Sequence, residues 1–118
     1  MKVEELVGQY KVTGSNQDDS KNTYHGILHL QLDPSNRIKA DWLINKEQKQ
    51  EGIGFFKDNI LVINFTYQGA DENSYRGVVV YKCLSQNILD GFWSEDYGDP
   101  HFLGTERCFR INPLELLD

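Results

Sequence analysis

Apolar residues recur at every second position through most of the chain, and clusters of Gly, Pro, Asn, Asp and Ser cut the runs at short intervals. A period of two is that of a half-buried strand, whose successive side chains point to opposite faces. The first run, 8–14, sets Tyr10 and Val12 against Gln9, Lys11 and Thr13. The second, 24–32, sets Tyr24, Gly26, Leu28, Leu30 and Leu32 against His25, Ile27, His29 and Gln31. Asp33-Pro34-Ser35-Asn36 then reads as a turn of type I character, with Pro fixing φ at its second position. The third run, 37–45, places Ile38, Ala40, Trp42 and Ile44 on one face. A polar hairpin, 46–50, leads to a fourth run at 51–56, followed by runs at 60–67, 75–83, 88–94 and 102–111. Only 2–6 and 113–117 suggest helix, about one turn each.

Eight strands with no connection long enough for a crossover helix run up and down as sequential neighbours. Such a meander closes into a barrel or splits into a sandwich. Glycines inside the runs (Gly26, Gly52, Gly54, Gly77, Gly91, Gly104) favour the barrel. In a strand interior glycine marks a sharp bend or the close approach of another group. The expected fold is therefore all-β: a single eight-stranded antiparallel up-and-down barrel, one domain over residues 1–118. An interior of that size holds side chains or one small ligand.

Charge narrows the partners. A net charge of −6 with no basic cluster argues against a nucleic-acid backbone or an anionic membrane. No window is long and apolar enough to cross a bilayer, and residues 1–8 lack the apolar run of a signal peptide, so the expected location is cytoplasmic. A leader already removed would leave the same trace, which keeps secretion open. Cys83 and Cys108 have neither metal-ligand spacing nor the density of a disulfide scaffold and read as two buried thiols.

Three segments carry a resemblance: Gly8-Gln9-Tyr10, Asp90-Gly91-Phe92-Trp93 and Leu103-Gly104-Thr105-Glu106. They resemble small calycin-type barrels of the avidin kind, and more particularly bacterial proteins that open with Gly-x-Tyr-x-Val-x-Gly-x-Asn and end with Gly-Thr-Glu. An avidin has Gly-x-Trp at its start and, near its end, an inward Asp that binds the ureido group of biotin. The resemblance puts Tyr10 in place of the Trp and Glu106 where that Asp lies. The early strands lack the Ser, Thr and Asn set that surrounds biotin, which argues against biotin itself.

The alternation gives an interior set of Tyr10, Tyr24, Trp42, Tyr81, Trp93 and Glu106. These side chains either fill a small barrel or line a ligand pocket. The pocket reading follows from the polar tips, because buried phenols and indoles need partners and a carboxylate among them would orient a polar ligand. Arg76, Arg107 or Arg110 is the alternative partner for Glu106. His25 and His29 lie about 13 Å apart on one strand face, too far to share a metal ion. Gly52-Ile53-Gly54 opens no helix, and no nucleophile stands in a recognisable triad, so phosphate binding and covalent catalysis lack support. The acidic stretch Glu95–His101 reads as a solvated hairpin between the last two strands, with no metal and no cofactor expected.

Three functions remain: a non-enzymatic barrel binding a small molecule at one open end, a solid barrel recognising a protein through acidic loops and outer strands, or an enzyme using Glu106 as acid or base. The first is the expectation adopted. Runs four to six are apolar on both faces, which predicts a homodimer through their outer sides, with Val78 and Val80 outward because Arg76 and Lys82 share their phase. The alternative cover for that surface is the tail 114–117.

Overall fold

The computed structural model describes residues 1–114. A short 3-10 helix, Val3–Leu6, precedes eight strands: β1 Gly8–Ser15, β2 Thr23–Leu32, β3 Ile38–Ile44, β4 Gln48–Lys57, β5 Ile60–Gln68, β6 Ser74–Ser85, β7 Ile88–Glu95 and β8 Gly104–Arg110. Each strand pairs antiparallel with the next, and β1 pairs with β8 as well as β2, so the sheet closes in the order β1 to β8. The fold is an eight-stranded up-and-down barrel, as the alternation predicts. Closure leaves no unpaired strand edge.

Turn chemistry sets the register. Asp58 and Asn59 both have positive φ, which the mirror-image two-residue hairpin turn requires and which Asp and Asn tolerate. At the Asp33–Asn36 turn, Asp33 Oδ1 accepts the backbone N–H groups of Ser35 and Arg37 at 2.8 and 2.9 Å, and Arg37 Nε reaches Oδ2 at 2.7 Å. The hairpin expected over 46–50 is shorter than that. β4 begins at Gln48 because Gln48 and Gln50 pair with Ile44 and Trp42. β8 is likewise shorter than the run 102–111. Of the tail expected to form a turn of helix, Pro113 and Leu114 are exposed, and 115–117 lie outside the described residues.

The two ends differ. At one, Leu6 of the 3-10 helix is fully buried as a plug under the sheet. Arg110 ties that plug in place: its guanidinium donates to the backbone carbonyls of Glu5, Val7 and Gln86 at 2.6, 2.8 and 3.0 Å and to the Tyr10 hydroxyl at 2.7 Å. Gly8, with φ of +147°, lets the chain pass beneath Arg110, where a side chain would collide with the guanidinium. At the other end the 16–22, 45–47, 69–73 and 96–103 connections surround an opening.

The phase of β4 and β5, which the sequence leaves open, is settled by burial. Gly52, Gly54 and Phe56 turn inward on β4, and Leu61, Ile63, Phe65 and Tyr67 on β5. Their neighbours face outward, and pairing aligns Phe55, Val62, Val80 and Phe92 as one row across β4 to β7. Phe55 is 61% exposed and Phe92 49%.

Candidate functional site

The open end is built upward from Glu106. It stands inward on β8 and is buried. Three neighbours donate to its carboxylate: Tyr24 to Oε2 at 2.6 Å, Trp42 Nε1 to Oε1 at 3.1 Å, and Tyr81 to Oε1 through a short bond. The Cys108 thiol approaches Oε1 at 3.8 Å. None of the three arginines pairs with it: Arg76 binds Asp96, Arg107 binds Asp90, and Arg110 holds the closed end. Burial raises the Glu106 carboxyl above its ordinary 4.5, while the hydrogen bonds from Tyr24, Tyr81 and Trp42 pull the other way. The donors face the ionised form, so the group is costly to charge and yet well received when charged. Burial holds the Tyr24 and Tyr81 phenols well above their usual range, followed by Glu106 for Tyr24 and by Cys108 and then Glu106 for Tyr81.

Aromatic rings form the walls, and glycines on neighbouring strands give them room. Tyr24 lies across from Gly14, Phe65 from Gly77, Tyr81 from Gly91 and Trp93 from Gly104. In each pair the ring occupies the space that a Cβ on the glycine would take; at Gly91 that atom would lie 2.6 Å from Tyr81 Cδ1, and at Gly77 2.6 Å from Phe65 Cζ. The close approach that strand glycines announce is thus a ring folded over a bare backbone. Phe65 is the hub. Trp42 stands at 70° to it and Trp93 at 84°, each with centroids 6.2 Å away. Tyr67 stacks on Phe65 at 15°.

Above this layer the rim is polar. Tyr67 donates a short hydrogen bond to Glu95, the last residue of β7, so Glu95 belongs to the mouth rather than to the solvated hairpin expected over 95–101. Gln17 bridges two loops: its amide donates to Ser94 Oγ at 2.9 Å and to the carbonyls of Asp99 and Phe102 at 3.2 and 3.0 Å, and its oxygen accepts the Glu95 N–H at 3.0 Å. The rest of the hairpin is solvated, with Asp99 paired to His101.

Between rim and floor lies a cavity of ≈ 280 Å³ whose lining includes Tyr24, Trp42, Phe65, Tyr67, Trp93, Glu95 and Glu106. One polar atom there is weakly matched. The Trp93 indole N–H is buried without a well-formed hydrogen bond, and the Tyr24 hydroxyl stands close enough to be its weak acceptor. Buried N–H groups are normally paired, so this weakly matched donor is the least satisfied polar atom of the site.

Of the six residues read from the alternation, Tyr24, Trp42, Trp93 and Glu106 border this space, and Tyr81 lies fully buried beside Glu106. Tyr10 is elsewhere. It pairs with Arg110, whereas Gly14, four residues along, pairs with Glu106 and Tyr24, so Tyr10 sits about 13 Å below the site. Its hydroxyl donates to the Leu6 and Gln86 carbonyls at the closed end at 2.8 and 3.1 Å. Three contributors were missed: Phe65, Tyr67 and Glu95. The polar set Asn64, Thr66 and Gln68 marks the outer phase of β5 and with it the inward phase of Phe65 and Tyr67. Among the described residues no three His, Cys, Asp or Glu side chains gather closely enough to hold a metal ion.

No protein-family model matches the chain, and no curated protein matches it in sequence. Solved structures match it in shape. A redesigned β-barrel, b11L5F_LGL, superposes with a TM-score of 0.69 at 18% identity, over 93% of this chain and 95% of its own. Another redesigned barrel, mFAP0, bound to DFHBI, gives 0.67 at 21% identity, over 90% of this chain and 99% of its own. A protein of unknown function from the DUF3598 family of Nostoc punctiforme gives 0.54 at 13% identity, covering 94% of this chain and 49% of that one. At these identities the likeness is one of fold.

Proposed function

We propose that this chain is a non-enzymatic barrel that binds a small molecule in its open end, above Glu106. The observation that carries the reading is a cavity of ≈ 280 Å³ at the open end, bordered by Glu106 and by the rings of Tyr24, Trp42, Phe65, Tyr67 and Trp93. That volume lies near the lower edge of ligand pockets, about 300–1,000 Å³. Barrels of this shape do hold a small molecule, as mFAP0 holds DFHBI. The inward Glu106 at the end of a Gly-Thr-Glu segment also supports kinship with avidin-type barrels. A catalytic role for Glu106 has less support, because both of its oxygens already accept protein donors.

The test is tryptophan emission during titration with a panel of small aromatic compounds, starting with DFHBI. A true ligand changes the emission, and Trp93→Phe removes much of the response. A compound that binds Trp93→Phe and Glu106→Gln as tightly as the wild type places the site elsewhere.

A second reading, compatible with the first, concerns the outer face. The outward row of exposed Phe55 and Phe92 with half-buried Val62 and Val80 between them, and Val78 beside it at 36% exposure, supports a homodimer through β4 to β6 extending onto β7. Replacing Val78 and Val80 together by Lys should yield a folded monomer, and a wild type monomeric by light scattering at high concentration removes the reading.

A further inference from the structure

Building on the binding-barrel reading, the next question is which ligand chemistry the cavity favours. Among the described residues its lining contains two carboxylates, Glu95 and Glu106, several uncharged amides and no Lys, Arg or His. The nearest rim arginine, Arg76, is turned outward and held by Asp96 at 2.5 Å. An anionic ligand would therefore enter a space with acceptor charge at floor and rim and no counter-charge in the wall. A neutral apolar ligand would fit the rings but leave the carboxylates unused.

The rings supply the complementary half. Trp42 and Trp93 each meet Phe65 edge-to-face, at 70° and 84°, and all three rings line the space. An aromatic surface attracts a positive charge through its quadrupole, and several surfaces meeting around one volume are the arrangement that receives alkylated ammonium groups. Low local dielectric strengthens both contributions.

We infer that the cavity binds a small organic cation, an alkylated ammonium group, with the cation among Trp42, Phe65 and Trp93 and with Glu95 and Glu106 as counter-charges. The ammonium needs no donor of its own, since both carboxylates act through charge while their direct hydrogen bonds stay with Tyr24, Tyr81, Trp42 and Tyr67.

The experiment titrates the full chain with choline, with its uncharged carbon isostere 3,3-dimethylbutan-1-ol, and with a panel of neutral aromatic compounds, each read by tryptophan emission and by calorimetry. Choline should bind about tenfold or more tighter than the isostere, the margin that cation–π attraction gives in a desolvated site. Glu95→Gln keeps an acceptor for Tyr67 while removing one charge, and it should weaken choline severalfold without changing the isostere. Equal affinity for choline and the isostere, or no effect of Glu95→Gln on their ratio, overturns the cation assignment. If neutral compounds bind and choline does not, the cation assignment fails while the binding barrel stands. If nothing in the three sets binds, both fall.

Discussion

Tyr10 and Tyr24 are inward-facing tyrosines on adjacent strands, and they live in opposite surroundings. At the closed end the Tyr10 hydroxyl is enclosed by two backbone carbonyls and the Arg110 guanidinium, which also lies 4.9 Å from the centre of its ring. Burial lifts that phenol to about 12, with Arg110 pulling it down. At the open end Tyr24 shares a carboxylate with Tyr81 and Trp42 under a cavity, next to the one buried side-chain nitrogen or oxygen without a partner among the described residues. The difference teaches how one barrel divides its work. One end is completed by its own chain, and the other is the end proposed to receive a ligand. Satisfied polar contacts around a fully buried plug serve stability, whereas a weakly matched buried donor at the open end carries a cost.

The largest expected effect is therefore at the closed end. Leu6→Ala removes a fully buried side chain from the plug and should cost about 3 kcal/mol, near the lower part of the range for buried leucine because a terminal 3-10 turn can settle. Urea unfolding measures it. Probe binding in the same variant should be unchanged, since Leu6 and the cavity are at opposite ends. A loss of binding that matches the loss of stability would mean that the two ends are not separable.

The middle effect is at the open end. A methyl group on Gly104 would overlap the Trp93 ring at Cε2 and Nε1, so Gly104→Ala must push the indole off its strand. The expected cost is about 1–3 kcal/mol, typical of overpacking. Its signature is the reverse of that of Leu6→Ala: tryptophan emission shifts and probe binding falls by more than stability does. Normal binding in a folded Gly104→Ala protein would detach Trp93 from the site.

That contrast also explains what could be read in the sequence. Period two separates inside from outside wherever one face is polar, which is why β1, β2, β3 and β6 and the inward positions of Trp42, Tyr81, Trp93 and Glu106 were legible. It is silent where Ile53, Phe55, Ile60 and Val62 make the outer face of β4 and β5 as apolar as the inner one. Even a correct phase gives no height along the barrel axis. Height follows from pairing register, and Tyr10 was grouped with Glu106 because alternation cannot tell that Arg110, not Glu106, is its cross-strand partner. Glu95 was hidden for a related reason: a carboxylate next to a turn resembles a solvated one until β7 is seen to run one residue further.

The smallest effect concerns the charge of the floor, and it is read as a slope. Glu106 is faced by Tyr24 from β2, Trp42 from β3, Tyr81 from β6 and Cys108 on its own strand, with Tyr67 and Glu95 nearer the rim. Burial raises its carboxyl above 4.5 in the folded protein. A raised folded value favours the protonated form, so the contribution of Glu106 to stability is complete below 4.5 and is lost as pH climbs through the folded value. Half-buried Asp33 and the exposed Asp71 and Asp99 are held below their ordinary value by nearby hydrogen bonds and act with the opposite sign on the acid side. They are common to wild type and Glu106→Gln and cancel in the difference. Wild type should therefore lose stability relative to Glu106→Gln as pH rises from about 4.5 toward neutrality, and a saturating organic cation should flatten that loss by supplying the missing counter-charge. Melting temperatures across that window decide it: parallel curves for the two proteins would show that the three donors compensate the burial in full, leaving the floor of the open end as self-sufficient as the plug of the closed one.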